Sequence, residues 1–357
     1  MKFEVGVIGA TGMVGQRFIT LLYNHPWFHL NVLAASPRSA GKTYEEAVQD
    51  RLAMQEEIPE TVKKMVVVDA SDVQTVASRA QIVFCAVDMP KPETRALEEA
   101  YAKAEVYVIS NNSACRALPD VPMLIPEING SHIEAIPAQR NRLGTKKGFI
   151  AVKPNCSIQS YVPVLTPLLP FGLEKINVCT YQAISGASKT FKTMPEILDN
   201  VIPFISGEEE KSEIEPLKIW GSMQNGLIVP AEKPVISAQC LRVPVSDGHM
   251  AAFSVTFRDK PSIDQILDAW KNYETEPQKL GLPHAPKPFL QYLEDPFRPQ
   301  SRLDRDFEGG MGVSIGRLRE DTLFDYKMVA VSHNTLRGAA GGSVLSAEYL
   351  VAKGCIE

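Results

Sequence analysis

The sequence predicts an α/β protein of two domains: first a parallel, helix-covered sheet, then an α+β half whose sheet is mixed and largely antiparallel. Three observations carry this. At 357 residues the chain exceeds the roughly 250–300 residues over which one apolar core keeps growing, so two cores are the default. Up to about residue 150, short apolar runs alternate with helical patterns, as in strands joined by crossover helices. Beyond residues 149–154 the grain changes to longer strand-like runs separated by turn signals.

In order, residues 3–9 form an apolar run read as a buried strand, and residues 13–23 repeat apolar positions at helical spacing. Residues 30–35, 65–68, 82–87 and 106–109 are further strand-like runs. Between the last two, residues 91–103 predict a helix with Pro92 in its first turn, where its missing N–H costs nothing. In the second half, residues 176–184, 235–245, 250–258, 311–317 and 323–332 read as strands. The polar turn Ser246-Asp247-Gly248-His249 predicts that 235–245 and 250–258 pair as an antiparallel hairpin. Six prolines in residues 277–302 predict irregular chain crossing the surface. Residues 338–353 predict a last helix that packs back on the first domain. No internal repeat or low-complexity stretch interrupts the chain.

Composition narrows the class without naming a chemistry. The chain is 45% hydrophobic and 22% charged, which excludes disordered and collagenous proteins. A net charge of −5 with no basic run argues against nucleic acid and anionic membranes as partners. No stretch reaches the ~18 apolar residues of a membrane span. The apolar segment 5–15 is unlike a signal peptide, because Glu4 precedes it, glycines interrupt it and Gln16-Arg17 follow. The six cysteines are scattered, with no C-x-x-C pair, and read as reduced thiols of a cytoplasmic protein.

The first strand runs directly into Gly9-Ala10-Thr11-Gly12-Met13-Val14-Gly15, and a helix follows. Strand, glycine turn and helix form the context in which a backbone approaches a pyrophosphate, and the helix N-terminus offers free N–H groups to phosphates. The spacing is G-x-x-G-x-x-G, a variant of the dinucleotide fingerprint; a ligand-free tight turn would use the same residues. At the end of the second strand, Ser36-Pro37-Arg38-Ser39 carries no acid for a ribose 2′-hydroxyl. Its two hydroxyls and its guanidinium suit a 2′-phosphate, which points to NADP over NAD; a solvated turn would also suit them.

Lys153-Pro154-Asn155-Cys156-Ser157 lies at the boundary between the halves. Pro154 disfavours helix before it, and Asn155 as N-cap would place Cys156 in a helical first turn, where a thiol can ionise near neutral pH and act as a nucleophile. Pro163 and Pro167 make that helix short or kinked. Cys85, Cys179 and Cys240 sit in apolar runs and read as core residues. In the stretch 239–249, Arg242 is a guanidinium in an apolar strand that calls for an anionic partner. His249 follows Gly248 in the turn, where it would serve as general acid and base. The other histidines have no ligand spacing, and no metal motif appears. Each of these residues alone is ordinary; Cys156, Arg242 and His249 together suggest a thiol–imidazole–guanidinium site.

Joined in order with N-N-S-A-C-R at 111–116, Q-A-I-S-G at 182–186, E-E-E-K at 208–211 and H-N-T-L-R-G-A-A-G at 333–341, these motifs span nearly the whole chain. The pattern resembles the aspartate-β-semialdehyde dehydrogenase family, its archaeal and fungal branch more closely than the common bacterial one. The resemblance implies a Rossmann-type NADP-binding domain of residues 1–154 plus 334–357, and a catalytic and dimerisation domain of residues 155–333. It implies NADPH-dependent reduction of β-aspartyl phosphate to aspartate semialdehyde with release of phosphate, in lysine, methionine and threonine biosynthesis. Cys156 would attack the acyl phosphate to form a thioester, with His249 moving protons. Arg242 would clamp the substrate carboxylate and Glu208 its ammonium. Arg116 and Lys211 would bind the leaving phosphate, with Asn112 or Ser113 nearby, and Gln182 and Asn155 would position the acyl group. Gly9, Thr11, Gly12, Met13, Val14, Ser36, Arg38 and Ser39 would hold the cofactor, with Ser185, Gly186 and Asn334 beside the nicotinamide. The family implies a homodimer or a homotetramer.

Other acyl-phosphate reductases on the same scaffold share the glycine turn, the cysteine and the histidine, but have no need of Glu208, Lys211 and Arg242 to read an amino-acid backbone. Malonyl-CoA reductase of the same branch is the nearer alternative; its substrate has no amino group for Glu208. A non-catalytic NADP-binding protein is the alternative of another kind, and the joint presence of Cys156, His249, Arg242 and Lys211 speaks against it.

Overall fold

The computed structural model describes residues 2–49, 51 and 57–357; the segment 45–61, to which the sequence attaches no role, lies partly outside them. The first sheet contains β1 (Phe3–Ile8), β2 (Phe28–Ala35), β3 (Val68–Asp69), β4 (Ile82–Cys85), β5 (Tyr107–Ser110) and β6 (Phe149–Val152), all parallel, in the order β3-β2-β1-β4-β5-β6. This is the doubly wound dinucleotide-binding order. β4, β5 and β6 are buried along their whole length, as expected of a sheet covered on both faces. Alternate residues divide between the two faces. Val7, Phe84, Ile109 and Phe149 pack with Phe18, Ile19 and Leu22 of the helix Met13–Leu22. Val83, Val108 and Ile150 pack with Tyr101 of the helix Lys91–Lys103.

The last helix, Ala340–Ala352, returns to this sheet, placing Val344, Ala347 and Leu350 in the same apolar cluster as Val5, Val7 and Phe18. Its buried Glu348 joins three distant segments: Oε1 receives His25 Nε2 at 2.8 Å and His284 Nδ1 at 2.5 Å, and Oε2 receives the His284 N–H at 3.0 Å. His25 Nδ1 accepts the N–H groups of Trp27 and Phe28. Its proton therefore sits on Nε2, which makes the trio a hydrogen-bonded joint and leaves that nitrogen unsuited to a metal.

The second sheet contains β7 (Leu173–Gln182), β10 (Val235–Arg242), β11 (His249–Phe257), β12 (Leu290–Leu293), β13 (Val313–Glu320) and β14 (Tyr326–Ser332), ordered β10-β7-β11-β14-β13-β12. A separate two-stranded ribbon is formed by β8 (Ser222–Gln224) and β9 (Leu227–Val229). The β10–β7 and β13–β12 pairs are parallel and the other three antiparallel, so the sheet is mixed. The expected hairpin between β10 and β11 does not form: β7 lies between them, parallel to β10 and antiparallel to β11. The turn at Gly248, with φ +94°, carries the chain across the end of β7 instead. The proline-rich segment also hides an element, β12, which is confined to the sheet edge where proline is tolerated. One face of the sheet buries Ile176, Val178, Ala251, Phe253 and Val255 against Tyr161, Leu165 and Ile266. On the opposite face Cys179, Tyr181, Leu241, Met250 and Ala252 are only half-buried.

Candidate active site

The glycine turn is shaped by two close approaches. Gly9 has φ +85°, and a Cβ there would meet the Ala86 carbonyl oxygen at 2.3 Å; a Cβ on Gly15 would meet the Gly9 oxygen at 2.2 Å. Gly12, the N-cap of the helix, has only the Gly9 oxygen near such an atom, at 3.5 Å. The outer glycines thus fit strand and helix together, while the middle one leaves the backbone approachable at a helix N-terminus with no acidic residue in its first turn. Tyr44 Oη donates to the Ala10 oxygen (2.8 Å) and Gln16 Nε2 to the Thr11 oxygen (3.1 Å), fixing the turn from behind. Beyond β2, Ser36 and Arg38 are exposed, and Ser39 is buried with no partner for its Oγ among the described residues. An exposed guanidinium beside an unsatisfied hydroxyl fits a phosphate ester better than a bare ribose.

A cleft of about 580 Å³ opens between the halves, lined by Met13, Arg17, Ser185, Lys189, Asp247, Arg305, His333 and Thr335. It shares Ser185 and Thr335 with a smaller cavity of about 220 Å³ that holds Cys156, Arg116, Glu208, Lys211, Gly186 and Asn334. A molecule lying from the glycine turn along the cleft therefore ends at the thiol. Asn334 closes the junction by donating to Ser185 Oγ (2.8 Å) and accepting the Gly248 N–H (2.8 Å).

Cys156 Sγ lies 3.3 Å from His249 Nε2. His249 is fully buried at the start of β11, and its Nδ1 accepts the Ala183 N–H at 3.0 Å. In a neutral imidazole that bond leaves the proton on Nε2, directed at the sulfur. Burial, and then the charge of Arg242, hold this ring's pKa down to about 3, so it is neutral near pH 7. Gly186 allows the approach, since a Cβ there would stand 3.0 Å from both Arg242 Nη1 and His249 Nε2.

The sequence places Cys156 in a helical first turn that favours ionisation; the structure corrects this. The chain after it forms a 3₁₀ turn, Ser157–Ser160, a single helical turn, Val162–Leu165, and a second 3₁₀ turn, Thr166–Phe171, broken up by prolines. Burial, and after it the Glu208 charge, push the thiol up to about 11, against the pull of Lys153, Arg116 and Arg242. The rate of Cys156 alkylation in the free protein is therefore expected to climb through pH 9 toward about 11. Glu208→Gln should move that profile to lower pH; an unmoved profile would refute the assignment of Glu208 as the opposing charge.

Asn155 organises the loop before the thiol. Its N–H donates to Glu215 Oε2 (2.6 Å), its Nδ2 to both Glu208 oxygens (3.0 Å each), and its Oδ1 accepts Ser157 N–H (2.8 Å). Glu208 also receives Lys211 Nζ (2.8 Å) and Gln182 Nε2 (3.1 Å). Arg116 Nη1 pairs with Glu215 Oε1 (2.8 Å) and Nη2 donates to the Asn111 oxygen (3.2 Å). Arg242 Nη1 donates to the Ala183 oxygen at 2.7 Å. Gln182 and Arg242 are buried beside the cavity, Gln182 against Glu208 and Arg242 next to Gly186, both of which line it.

Asn112 is a correction. Its Nδ2 donates to Glu98 Oε1 (3.1 Å) and faces Cys85 Sγ, toward the core of the first domain, while its neighbours Asn111 and Ser113 line the cavity. Two residues outside the sequence reading also belong here. The helix Glu208–Ile219 brings Glu208, Lys211, Glu215 and Lys218 to one face, at i, i+3, i+7 and i+10. Lys218 Nζ donates to the carbonyls of Arg116, Leu118 and Val121 (2.6–2.8 Å), and so anchors the loop that carries Arg116. The signal was the helical spacing, which continues past the four residues of the charged motif.

Comparisons with known proteins agree with this geometry. Residues 4–136 match the family model "Semialdehyde dehydrogenase, NAD binding domain", and residues 165–337 match "Semialdehyde dehydrogenase, dimerisation domain". An aspartate-semialdehyde dehydrogenase of Methanothermobacter thermautotrophicus is 45% identical over 97% of this chain and 98% of its own. One of Schizosaccharomyces pombe is 44% identical over 98% of each chain. The crystal structure of the Candida albicans aspartate semialdehyde dehydrogenase with NADP superposes with a TM-score of 0.89 at 40% identity, covering 100% of both chains.

Proposed function

The chain belongs to the aspartate-semialdehyde dehydrogenase family, and from that premise we propose how its residues divide the family's reaction. The protein is an NADP-dependent oxidoreductase that reduces β-aspartyl phosphate to aspartate semialdehyde and releases phosphate, a step toward lysine, methionine and threonine. The observation that carries the assignment of roles is the Cys156–His249 contact of 3.3 Å in a cavity that also holds two phosphate-competent cations and opens toward the glycine turn.

Cys156 attacks the β-acyl carbon, its S–C bond forming as the C–O bond to phosphate breaks and the thiol proton leaving on the departing phosphate, and the acyl group remains as a thioester. His249 donates from Nε2 to the sulfur as it ionises, and to the oxyanion that develops beside it. NADPH, when bound, would supply the hydride that reduces the acyl carbon; the C–S bond to Cys156 then breaks as the aldehyde carbonyl re-forms, and the freed thiolate takes a proton. Gly9, Thr11, Gly12, Met13 and Val14 hold its pyrophosphate, Ser36, Arg38 and Ser39 its 2′-phosphate, and Ser185, Gly186 and Asn334 orient its reactive end. Arg242 holds the substrate carboxylate, and Gln182 and Asn155 orient the acyl group. The two cations of the site are already paired, Lys211 with Glu208 and Arg116 with Glu215. The substrate ammonium replaces Lys211 at Glu208, which frees Lys211 to join Arg116 at the phosphate.

The domain division runs 1–154 plus 334–357 against 155–333, because the last helix completes the first sheet's core. The half-open face of the second sheet, within the segment that matches a dimerisation domain, supports self-association into a homodimer, or a homotetramer made as a pair of dimers. Among the described residues no helix is long and apolar enough to cross a membrane; a cytoplasmic location is in keeping with scattered unpaired cysteines.

The direct test is phosphate-dependent reduction of NADP by aspartate semialdehyde, beside an assay with malonyl-CoA. Activity with malonyl-CoA alone would overturn the reading. Arg38→Ala is expected to raise KM for NADP about tenfold or more, the scale of one charged hydrogen bond, with little change for NAD. Equal use of both cofactors by the unmodified enzyme would contradict the role given to Arg38.

A further inference from the structure

We propose that Glu215 is a positioning residue that sets the phosphate-binding guanidinium and the nucleophile loop in register with each other. The inference rests on the proposed function for the identity of the anion. Glu215 belongs to the helix Glu208–Ile219 of the second half, two turns beyond Glu208, and its side chain is 9% exposed. One carboxylate oxygen takes Arg116 Nη1 at 2.8 Å and the other takes the Asn155 N–H at 2.6 Å. It is thus the one group among the described residues that bonds both the loop after β5, which carries Arg116, and the loop after β6, which carries Cys156.

The bonds around Arg116 define what this does. Nη2 is fixed by the Asn111 carbonyl at 3.2 Å, Nη1 by Glu215, and the buried Nε has no partner among the described residues. Held on two sides, the guanidinium keeps one N–H edge for an incoming anion. Lys218 fixes the backbone of the same loop through the Arg116, Leu118 and Val121 carbonyls, so one helix face sets both the backbone and the side chain. On the nucleophile side, the bond to the Asn155 N–H orients the peptide immediately before Cys156. One rigid carboxylate therefore determines the distance between attacking sulfur and departing phosphate, a separation on which a displacement is sensitive.

Glutamine in place of Glu215 cannot serve both donors, because its amide nitrogen would face one of them. Glu215→Gln is expected to raise KM for phosphate in aldehyde oxidation about tenfold or more, with KM for NADP within about twofold. The phosphate concentration that halves the rate of Cys156 alkylation should rise by a similar factor, and this binding readout needs no turnover. In an Arg116→Ala background the same substitution should change phosphate affinity hardly at all, since the group it positions is gone. Glu215→Asp keeps the charge beside Arg116 but is too short to span both donors, so it gives the same reading if the glutamine variant is recovered unfolded. An unchanged KM for phosphate, or a full effect of Glu215→Gln without Arg116, would overturn the proposal. Activity of the unmodified enzyme tests the proposed reaction, and the variants test Glu215, so the two failures are distinguishable.

Discussion

Cys156→Ala is expected to lower turnover with aspartate semialdehyde, phosphate and NADP by at least about 10⁴-fold, the scale on which loss of a covalent nucleophile stops an enzyme. The cavity offers no substitute. Among the described residues Cys156 is the only cysteine that lines it, and Cys85, Cys115 and Cys240 are buried in the cores. Ser113, Ser185 and Ser188 also line it, but an alcohol lacks the nucleophilicity of a thiolate. His249 Nε2 would lose its sulfur partner and Asn155 would keep its bonds to Glu208 and Glu215, so folding and cofactor binding should survive. The measurements are steady-state NADPH formation and NADP binding on the same sample. Turnover above about one per cent of the unmodified rate, with binding intact, would refute thioester catalysis at this residue.

Arg337→Met is expected to destabilise the fold by about 3–5 kcal/mol, because it leaves a buried charge without its partner. Arg337 is 1% exposed and donates from Nη1 and Nη2 to Glu127 Oε1, at 2.5 and 2.7 Å, while stacking 5.0 Å above the Phe289 ring. The Glu127 side chain has no exposed surface, and burial already pushes its carboxyl above the usual range against the pull of Arg337. Without the guanidinium, only a backbone hydrogen bond and the charge of Lys153 still oppose that rise. The folded form then holds a proton that the unfolded chain gives up, so the stability of the variant falls as pH rises above the ordinary carboxylate range and recovers on acidification. Urea unfolding at two pH values measures this. Glu127→Gln combined with Arg337→Met should cost less than Arg337→Met alone; an equal or greater loss would show that the ion pair is not the source of the effect.

Where chain neighbours decide structure, the sequence was legible; where distant segments decide it, it was not. The helix Lys91–Lys103 appears with its expected ends, since Pro92 and the apolar spacing act locally. The glycine turn was readable because each glycine answers a contact within its own strand–turn–helix unit or with the next strand. The β10–β11 connection had the chemistry of a hairpin turn, but strand pairing is a tertiary choice, and β7 occupies the position between them. At the site, Cys156 and His249 stood out beside a cap and a turn glycine, although the direction of the thiol's ionisation was not legible, because burial, and then the charge of Glu208 more than fifty residues away, raise its pKa. Asn112 faces the core because the buried Glu98, fourteen residues earlier, takes its amide. Glu215 and Lys218 stayed hidden because a charged helix face looks solvated until the loop it anchors is known.

The return of the last helix has a consequence for how the protein is made. Val344, Ala347 and Leu350 complete the apolar layer over strands that leave the ribosome more than 180 residues earlier. The sheet translated first is therefore covered last, and until the helix Ala340–Ala352 is made Val5, Val7 and Phe18 lack part of their cover. Every strand of the second sheet is translated during that wait. Throughout the synthesis of residues 153–339 the first sheet thus stays partly uncovered, an interval in which exposed apolar surface invites association with chaperones or with other unfinished copies.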